Sequence, residues 1–187
     1  MAILTQSTLE TSSARPIRMA IGVAVFAILT ALSAKVQVVL PGTPVPFTFQ
    51  PLLVLLSGAL LGSRLGASSQ ALYLTAGMAG IPAFAFGGGA AYLLGPTGGY
   101  LLAYPLAAFV VGALMRPGYL RTLVAMLAGL AIIYAGGVAW LSAVSGSGSV
   151  VAMGLAPFVL ADLVKAGIGA ALVTRIRPSS LSLFGAK

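Results

Sequence analysis

One ionic couple stands out among the residues that could do chemistry, because it interrupts an apolar segment. Asp162 and Lys165 lie three residues apart in a stretch that carries no other charge between Arg121 and Arg175. The chain has only two acidic residues, and the other, Glu10, lies in a polar N-terminal segment. An ionisable side chain inside a membrane costs at least ~2.5–3.5 kcal/mol on insertion scales and usually serves a ligand or a relay. The couple therefore predicts a binding site.

The residue types that the chain lacks exclude several function classes. It contains no histidine, which removes the usual general base and the commonest metal ligand. It contains no cysteine, which removes thiolate nucleophiles, thiolate metal sites and disulfides. The run Gly87–Gly89 lacks the Lys-Ser/Thr that completes a phosphate loop. We therefore expect no enzymatic activity, no catalytic residue, no metal ion and no cofactor.

The composition is that of an integral membrane protein. The 187 residues are 59% hydrophobic and only 6% charged, whereas soluble domains carry roughly 25% charged residues. The net charge of +8 does not indicate nucleic-acid binding, because the basic residues lie between apolar spans rather than along one stripe. The ~10-residue alternation of a membrane β-barrel is not visible.

Hydropathy and turn residues divide the chain into six helical spans in a single membrane domain over residues 1–187. A polar tail covers 1–16, and the spans are placed at about 17–40, 51–62, 67–80, 99–115, 121–144 and 157–175. The second and third spans are split at Gly62–Gly66, with one long re-entrant element as the alternative. The expected fold is an all-α membrane protein of six transmembrane helices.

The basic residues predict the orientation of these spans. The loops at about 41–50, 81–98 and 145–156 contain no Lys or Arg. Eight of the ten basic residues fall in the tails and turns on the other side: Arg15, Arg18, Arg64, Arg116, Arg121, Arg175, Arg177 and Lys187. Loops rich in Lys and Arg stay in the cytoplasm. Both termini are therefore expected to be cytoplasmic.

Three further features are candidate parts of a site. The long apolar loop 81–98 is expected to cover a ligand, with a buried re-entrant loop as the alternative. Gln50 lies at the mouth of the second span, where its amide either binds a ligand or is solvated. Lys35 either extends toward the headgroups or contributes a charge to the site. For the couple itself, the alternatives are a lock between helices and a proton relay in a secondary transporter.

Small residues on the first span form one helix face. Alanines recur there at small-xxx-small spacing, a pattern that lets helices approach closely. The residues alone leave two interpretations open, docking onto another membrane protein and packing within this chain. The alanines in question are Ala20, Ala24, Ala27 and Ala31.

Four motifs in this order resemble those of the BioY family, the biotin-specific S components of energy-coupling-factor (ECF) transporters. They are Thr43-Pro-Val-Pro-Phe-Thr-Phe-Gln50, Ala79-Gly-Ile-Pro-Ala-Phe-Ala85, Gly95-Pro-Thr-Gly-Gly-Tyr100 and Asp162-Leu-Val-Lys165. The resemblance implies an S-component fold in a prokaryotic plasma membrane that captures biotin. It also implies partners that this chain lacks, a transmembrane coupling protein and a pair of ATPases, with the alanine face as the docking surface. The remaining rivals are an S component for another small vitamin and an autonomous secondary transporter.

The resemblance also implies a role for each candidate residue. Asp162 would accept a hydrogen bond from a ureido N–H of biotin, and a charge-assisted bond is roughly twice as strong as a neutral one. Lys165 would make the polar ligand contact, either by neutralising the valerate carboxylate or by orienting Asp162 while another donor holds that carboxylate. Lys35 is the alternative partner of the valerate carboxylate. The other expected contacts are the amide of Gln50, the apolar wall of Tyr92 and Phe86, and the close backbone approach of Gly88 and Gly89.

Overall fold

Seven α-helices and one short hairpin make up the computed structural model, which describes residues 2–146 and 149–184 and the side chains of 15–146 and 149–176. The helices are α1 (Ala2–Lys35), α2 (Gln50–Leu61), α3 (Ser63–Met78), α4 (Gly98–Leu114), α5 (Tyr119–Ser145), α6 (Val150–Gly154) and α7 (Ala156–Phe184). The hairpin pairs β1 (Gln37–Val38) with β2 (Phe47–Thr48), and a 3-10 turn covers Ala90–Leu94.

Helix α4 lies at the centre of the bundle, where it packs against α2, α3 and α5. Small residues make this packing possible, because Ala107 and Ala108 are completely buried. A side chain at Gly58 would clash with the backbone of Ala108, and one at Gly99 would clash with α5 at Trp140. Close helix approach through small residues is the usual mode of packing in membranes.

The surface of the bundle is apolar, which is the reverse of a soluble protein. Leu160 and Ile168 on α7 are 73% and 62% exposed, and Leu106 on α4 is 57% exposed. Within the described residues, three helical stretches are long and apolar enough to cross a membrane, namely Arg15–Lys35, Tyr119–Ser145 and Val150–Ile176. The helices Gln50–Leu61 and Gly98–Leu114 are apolar but shorter. That all six predicted spans cross a membrane, with both termini cytoplasmic, stays a prediction.

The first helix differs from the predicted span at both ends. It ends at Lys35 rather than near residue 40, because the chain turns into the β hairpin, where Gln37 pairs with Thr48 and Val38 with Phe47. At the other end α1 starts at Ala2, so the segment predicted as a tail is helical from that residue. The apolar run continues past Lys35, and hydropathy alone does not distinguish a helix from a hairpin strand.

The break between α2 and α3 is shorter than predicted. The predicted turn covered Gly62–Gly66, but the helices meet at Gly62 alone, whose φ of 85° favours glycine. Arg64 lies in the first turn of α3 rather than in a loop. The structure thus contains two helices of 12 and 16 residues here, not one long element. A further helix, α6, occupies part of the predicted loop 145–156.

Candidate functional site

The predicted couple forms an ion pair inside the bundle. The Lys165 ammonium lies 2.7 Å from Asp162 Oδ1, on the same face of α7 and one turn away. The two residues are only 7% and 5% exposed. Because buried charges are tolerated only when they are paired and hydrogen-bonded, the contacts around this pair determine what it can do.

The other contacts of Lys165 lie on the hairpin. Its ammonium donates to the backbone carbonyl of Thr48 at 2.7 Å and sits 3.7 Å from the ring centroid of Phe47, with that of Phe49 at 5.1 Å. An ammonium has three N–H donors. The carboxylate of Asp162, this carbonyl and the face of the ring together surround it. Lys165 therefore ties α7 to the hairpin and has its hydrogen-bonding capacity largely engaged within the protein.

The second oxygen of Asp162 is held by α5. The hydroxyl of Tyr134 donates to Asp162 Oδ2 at 2.7 Å. Each carboxylate oxygen has two lone-pair sites, so both retain acceptor capacity. Asp162 is thus fixed from two sides while it remains able to accept from a ligand.

A cavity of about 50 Å³, measured as the room for the centres of water molecules, opens beside this carboxylate. One water requires ~10–15 Å³ on that measure, so a bicyclic ligand needs its walls to move outward. The loop 79–97 connects α3 to α4. The lining comes from this loop, the hairpin, α2, α4, α5 and α7. It comprises Val45, Pro46, Phe47, Thr48, Gln50, Pro51, Ala85, Tyr92, Thr97, Tyr100, Leu101, Tyr104, Ile133, Tyr134, Phe158 and Asp162.

Gln50 lines this cavity from the first residue of α2 and is 4% exposed. Its Nε2 donates to the Tyr73 hydroxyl at 2.6 Å, and its Oε1 accepts from the Thr48 hydroxyl at 3.4 Å. The amide is therefore buried and hydrogen-bonded rather than solvated at a helix end. Its position beside the cavity is compatible with the predicted ligand contact.

The 79–97 loop packs into the bundle as a plug, and its role as a cover over a ligand stays a prediction. The ring of Phe84 is fully buried, stacks on Tyr92 at 4.9 Å and meets Tyr73 edge-on. A side chain at Gly77 would occupy the space of this ring. Two side-chain hydrogen bonds help to fasten the loop, from Trp140 Nε1 to the carbonyl of Gly95 at 3.0 Å and from Lys35 to the carbonyl of Phe84 at 2.7 Å.

The loop residues that were predicted to contact a ligand lie in different surroundings. Tyr92 lines the cavity, but Phe86 is 58% exposed and is not part of its lining. Gly88 and Gly89 approach backbone closely, as expected, yet the backbone belongs to this chain. A side chain at Gly88 would clash with the carbonyl of Ile81, and the N–H of Gly89 donates to Gly77 at 2.7 Å. Neither glycine lines the cavity, and their approach to a ligand stays a prediction.

Lys35 lies outside the cavity, and the alanine face of α1 lines a separate groove. Lys35 does not line the cavity, and its ammonium is engaged with the loop. Ala27 is 7% exposed, and it lines an apolar groove of about 270 Å³ toward α3 together with Ala24 and Ala31. Ala20 is exposed. Ala24, Ala27 and Ala31 thus line an open groove, and docking of a partner on this face stays a prediction.

Sequence reasoning missed three polar groups of the site. Tyr134 and Tyr104 lie on α5 and α4 in ordinary apolar surroundings, and nothing in their local spacing distinguishes them from packing residues. The Thr48 carbonyl carries no side-chain signature at all. The available signal was that a buried carboxylate needs a hydrogen-bond donor, and several tyrosines could have provided it.

Comparison with known proteins agrees with the family resemblance that the sequence motifs indicate. Residues 5–181 match the model of the BioY family. A probable biotin transporter BioY of Pyrococcus horikoshii is 40% identical over 156 residues, covering 83% of this chain and 93% of the relative. The biotin transporter BioY of Thermotoga maritima is 39% identical, covering 86% and 96%.

The fold also matches a solved structure. The crystal structure at 2.1 Å of the S-component for biotin from an ECF-type ABC transporter superposes with a TM-score of 0.79. The identity is 25%, and the match covers 87% of this chain and 92% of the other. The bundle described above is therefore the S-component fold.

Proposed function

This chain belongs to the BioY family, and on that basis we propose that it is the biotin-binding S component of an ECF-type vitamin uptake transporter. It captures biotin in the cavity beside Asp162 and delivers it inward together with a coupling protein and an ATPase pair. The chain itself hydrolyses no ATP in this proposal. It is a multi-pass protein of a prokaryotic plasma membrane.

The observation that carries the proposal is the buried, doubly anchored carboxylate that faces a cavity. Biotin offers two ureido N–H donors, an apolar thiophane ring and a carboxylate. Asp162 is the acceptor for a ureido N–H, since it lines the cavity and has free lone pairs beyond its bonds to Lys165 and Tyr134. Aromatic and aliphatic lining residues such as Phe47 and Ile133 suit the apolar ring.

Lys165 acts on the ligand through Asp162. Its ammonium is surrounded by Asp162, the Thr48 carbonyl and the Phe47 ring, so it holds the carboxylate in a fixed orientation. This is one of the two roles expected for Lys165, the other being direct contact with the valerate carboxylate.

Partner docking uses the exposed part of α1. Ala20 and the neighbouring Ile17 and Ile21 are exposed, whereas Ala27 is buried. A coupling protein would therefore contact the exposed apolar face of α1, which continues through Ile28 and Leu32. Biotin uptake by cells that produce this chain with and without a coupling protein and ATPases tests whether transport depends on these partners.

Equilibrium binding of labelled biotin to the purified full chain in detergent tests the capture function. Wild type should bind, and Asp162→Asn should bind at least about 30-fold more weakly, because losing a buried charged partner costs ~2–5 kcal/mol. Glu10→Gln changes the other carboxylate of the chain and serves as the matched control. Binding that survives Asp162→Asn unchanged contradicts the proposed site, and no binding by wild type contradicts the biotin assignment.

A further inference from the structure

An apolar groove of about 270 Å³ lies between α1 and α3 and shares no lining residue with the cavity beside Asp162. Alanine and aliphatic side chains form its walls, together with the ring of Tyr73, whose hydroxyl is engaged with Gln50. Ile28 and Leu72 line it and are 58% and 43% exposed, so the groove opens to the surface of the bundle. Water has no polar partner there, so a molecule that fills the groove is apolar.

The groove suits a chain of methylene groups better than a helix of another protein. Helix α1 packs directly on α3, and helices in contact lie about 8–10 Å apart. The side chains of Ala24, Ala27 and Ala31 on α1 are small enough to leave the space between them. A helix with its side chains is about 10–12 Å across, so a partner helix can lie over this groove but cannot enter it. A single acyl chain is thin enough to enter.

In the proposed membrane location the groove has the depth of one leaflet. The apolar stretch Arg15–Lys35 contains 21 residues, which at ~1.5 Å per residue matches a hydrocarbon core of ~30 Å. The lining begins on α1 at Ala24, and Lys35 follows eleven residues later, about 16 Å along the helix axis. The groove therefore extends from near the centre of the membrane toward the end of α1, where lipid headgroups lie.

Lys35 places a positive charge at that end of the groove. It follows Ala27 and Ala31 at intervals of four residues, so all three lie on one side of α1. Its ammonium donates at 2.7 Å to the carbonyl of Phe84 in the 79–97 loop, which lines the same groove. An ammonium has three N–H donors, and in the described part of the chain the other two have no acceptor. The described acid, Asp162, is already paired inside the bundle, so an anion that binds here comes from outside the chain.

We propose that the groove holds one acyl chain of an anionic glycerophospholipid whose phosphate binds Lys35. The lipid belongs to the leaflet that borders this end of α1, where its phosphate and the ammonium lie at the same depth. Ile28 lines the groove and also belongs to the exposed face of α1 proposed for docking, so the bound lipid lies beside that surface. The inference rests on the proposed membrane location and does not depend on biotin.

Photocrosslinking tests the groove directly. The full chain is placed, one copy per disc, in nanodiscs of phosphatidylcholine that contain a little phosphatidylglycerol with a diazirine midway along one acyl chain, and mass spectrometry of its peptides locates the adducts. In wild type the adducts on the groove segments of α1 and α3 should exceed those on Leu160 and Ile168, which are more exposed than Ile28. Ala76→Leu fills the groove and should lower the groove adducts by at least about fivefold. Ala171→Leu, the same change at an exposed position of α7, should leave them unchanged.

A comparison of two headgroups tests the role of Lys35. In wild type the same acyl probe carried by phosphatidylcholine should give about fivefold fewer groove adducts than the phosphatidylglycerol probe, the effect of one lysine on an anionic lipid. This ratio should persist in Lys35→Arg and disappear in Lys35→Met. Since both probes have the same acyl chains, a loosened loop changes their yields together and leaves the ratio unaffected. The same ratio in wild type and in Lys35→Met overturns the assignment of the phosphate.

The acyl-chain site is overturned if the groove adducts are no more frequent than those on α7, or if Ala76→Leu leaves them unchanged. If Ala76→Leu does not fold, Ala24→Leu fills the same groove from α1 and decides in the same way. Biotin binding by wild type is measured on the same discs. Its absence would contradict the proposed capture of biotin, while the lipid result stands.

Discussion

The hydroxyl of Tyr134 donates a 2.7 Å hydrogen bond to Asp162 Oδ2, across 28 residues of sequence and between two helices. Lys165 occupies the other carboxylate oxygen. Asp162 is thus oriented by a neutral donor on one side and a charged donor on the other. This arrangement fixes the carboxylate before a ligand arrives, which lowers the cost of ordering it on binding.

Tyr134→Phe should weaken biotin binding by about 10- to 100-fold. The substitution removes a hydrogen bond to a charged group, worth ~1.5–3 kcal/mol, and leaves the ring in place. Titration calorimetry provides the measurement. Tyr119→Phe removes a hydroxyl from an exposed tyrosine and is the matched control. Equal affinities for wild type and Tyr134→Phe would show that the orientation of the carboxylate does not matter.

Lys165→Met should lower the free energy of unfolding by ~3–5 kcal/mol, since it leaves Asp162 as a buried charge without its counter-ion. The double variant Asp162→Asn with Lys165→Met should recover most of that stability but none of the biotin affinity. Chemical denaturation in detergent measures the first quantity and calorimetry the second. A double variant as unstable as Lys165→Met would contradict the ion-pair explanation.

Gly77→Ala should destabilise the protein by ~1–3 kcal/mol, because the added methyl group occupies the space of the buried Phe84 ring. Gly167→Ala is the matched change in α7, where the nearest atom is the Tyr119 hydroxyl at 3.6 Å. There the expected effect is neutral or a gain of up to ~1 kcal/mol from helix propensity. Thermal unfolding should therefore separate the two variants in opposite directions, and similar melting temperatures would refute the plug description.

Lys35→Met should loosen the 79–97 loop without removing a ligand contact. It deletes the hydrogen bond to the Phe84 carbonyl, whereas Lys35→Arg retains a donor at that position. Hydrogen exchange at the N–H of Gly87 and Gly89 should accelerate in Lys35→Met and stay near the wild-type rate in Lys35→Arg. Unchanged exchange in both variants would mean that the buried Phe84 ring and the remaining hydrogen bonds fasten the loop without Lys35.

Sequence reasoning predicted the couple because its two members are three residues apart on one helix, where spacing determines geometry. It did not predict Tyr134 or the Thr48 carbonyl, which reach the pair from 28 and 117 residues away along the chain. Such contacts depend on how the helices pack, and one of them uses a backbone atom. The overlong first span had the same origin, since an apolar run does not reveal that residue 37 pairs with Thr48.

The family motifs predicted the fold more closely than they predicted individual contacts. The solved S-component has the same architecture at 25% identity. Gly88 is small because the loop folds back onto Ile81 and α3, and Gly89 because its φ of 99° favours glycine, reasons that no local pattern distinguishes from ligand binding. A glycine in a tightly packed bundle therefore does not reveal whether it makes room for a ligand or for another part of the same chain.

Because Lys165 donates a hydrogen bond to the Thr48 carbonyl, we expect the position of the hairpin to depend on whether a ligand is bound in the cavity. A ligand that pulls Asp162 toward itself also shifts the ammonium of Lys165, and with it the strand β2, which contains Thr48. Linkage is reciprocal, so whatever pulls the hairpin away must lower the affinity for the ligand by the same factor. We expect a spin label at Val39 to move on biotin binding in wild type and to stay in place in Lys165→Met. A label that stays in place in wild type would show that capture and hairpin position are independent.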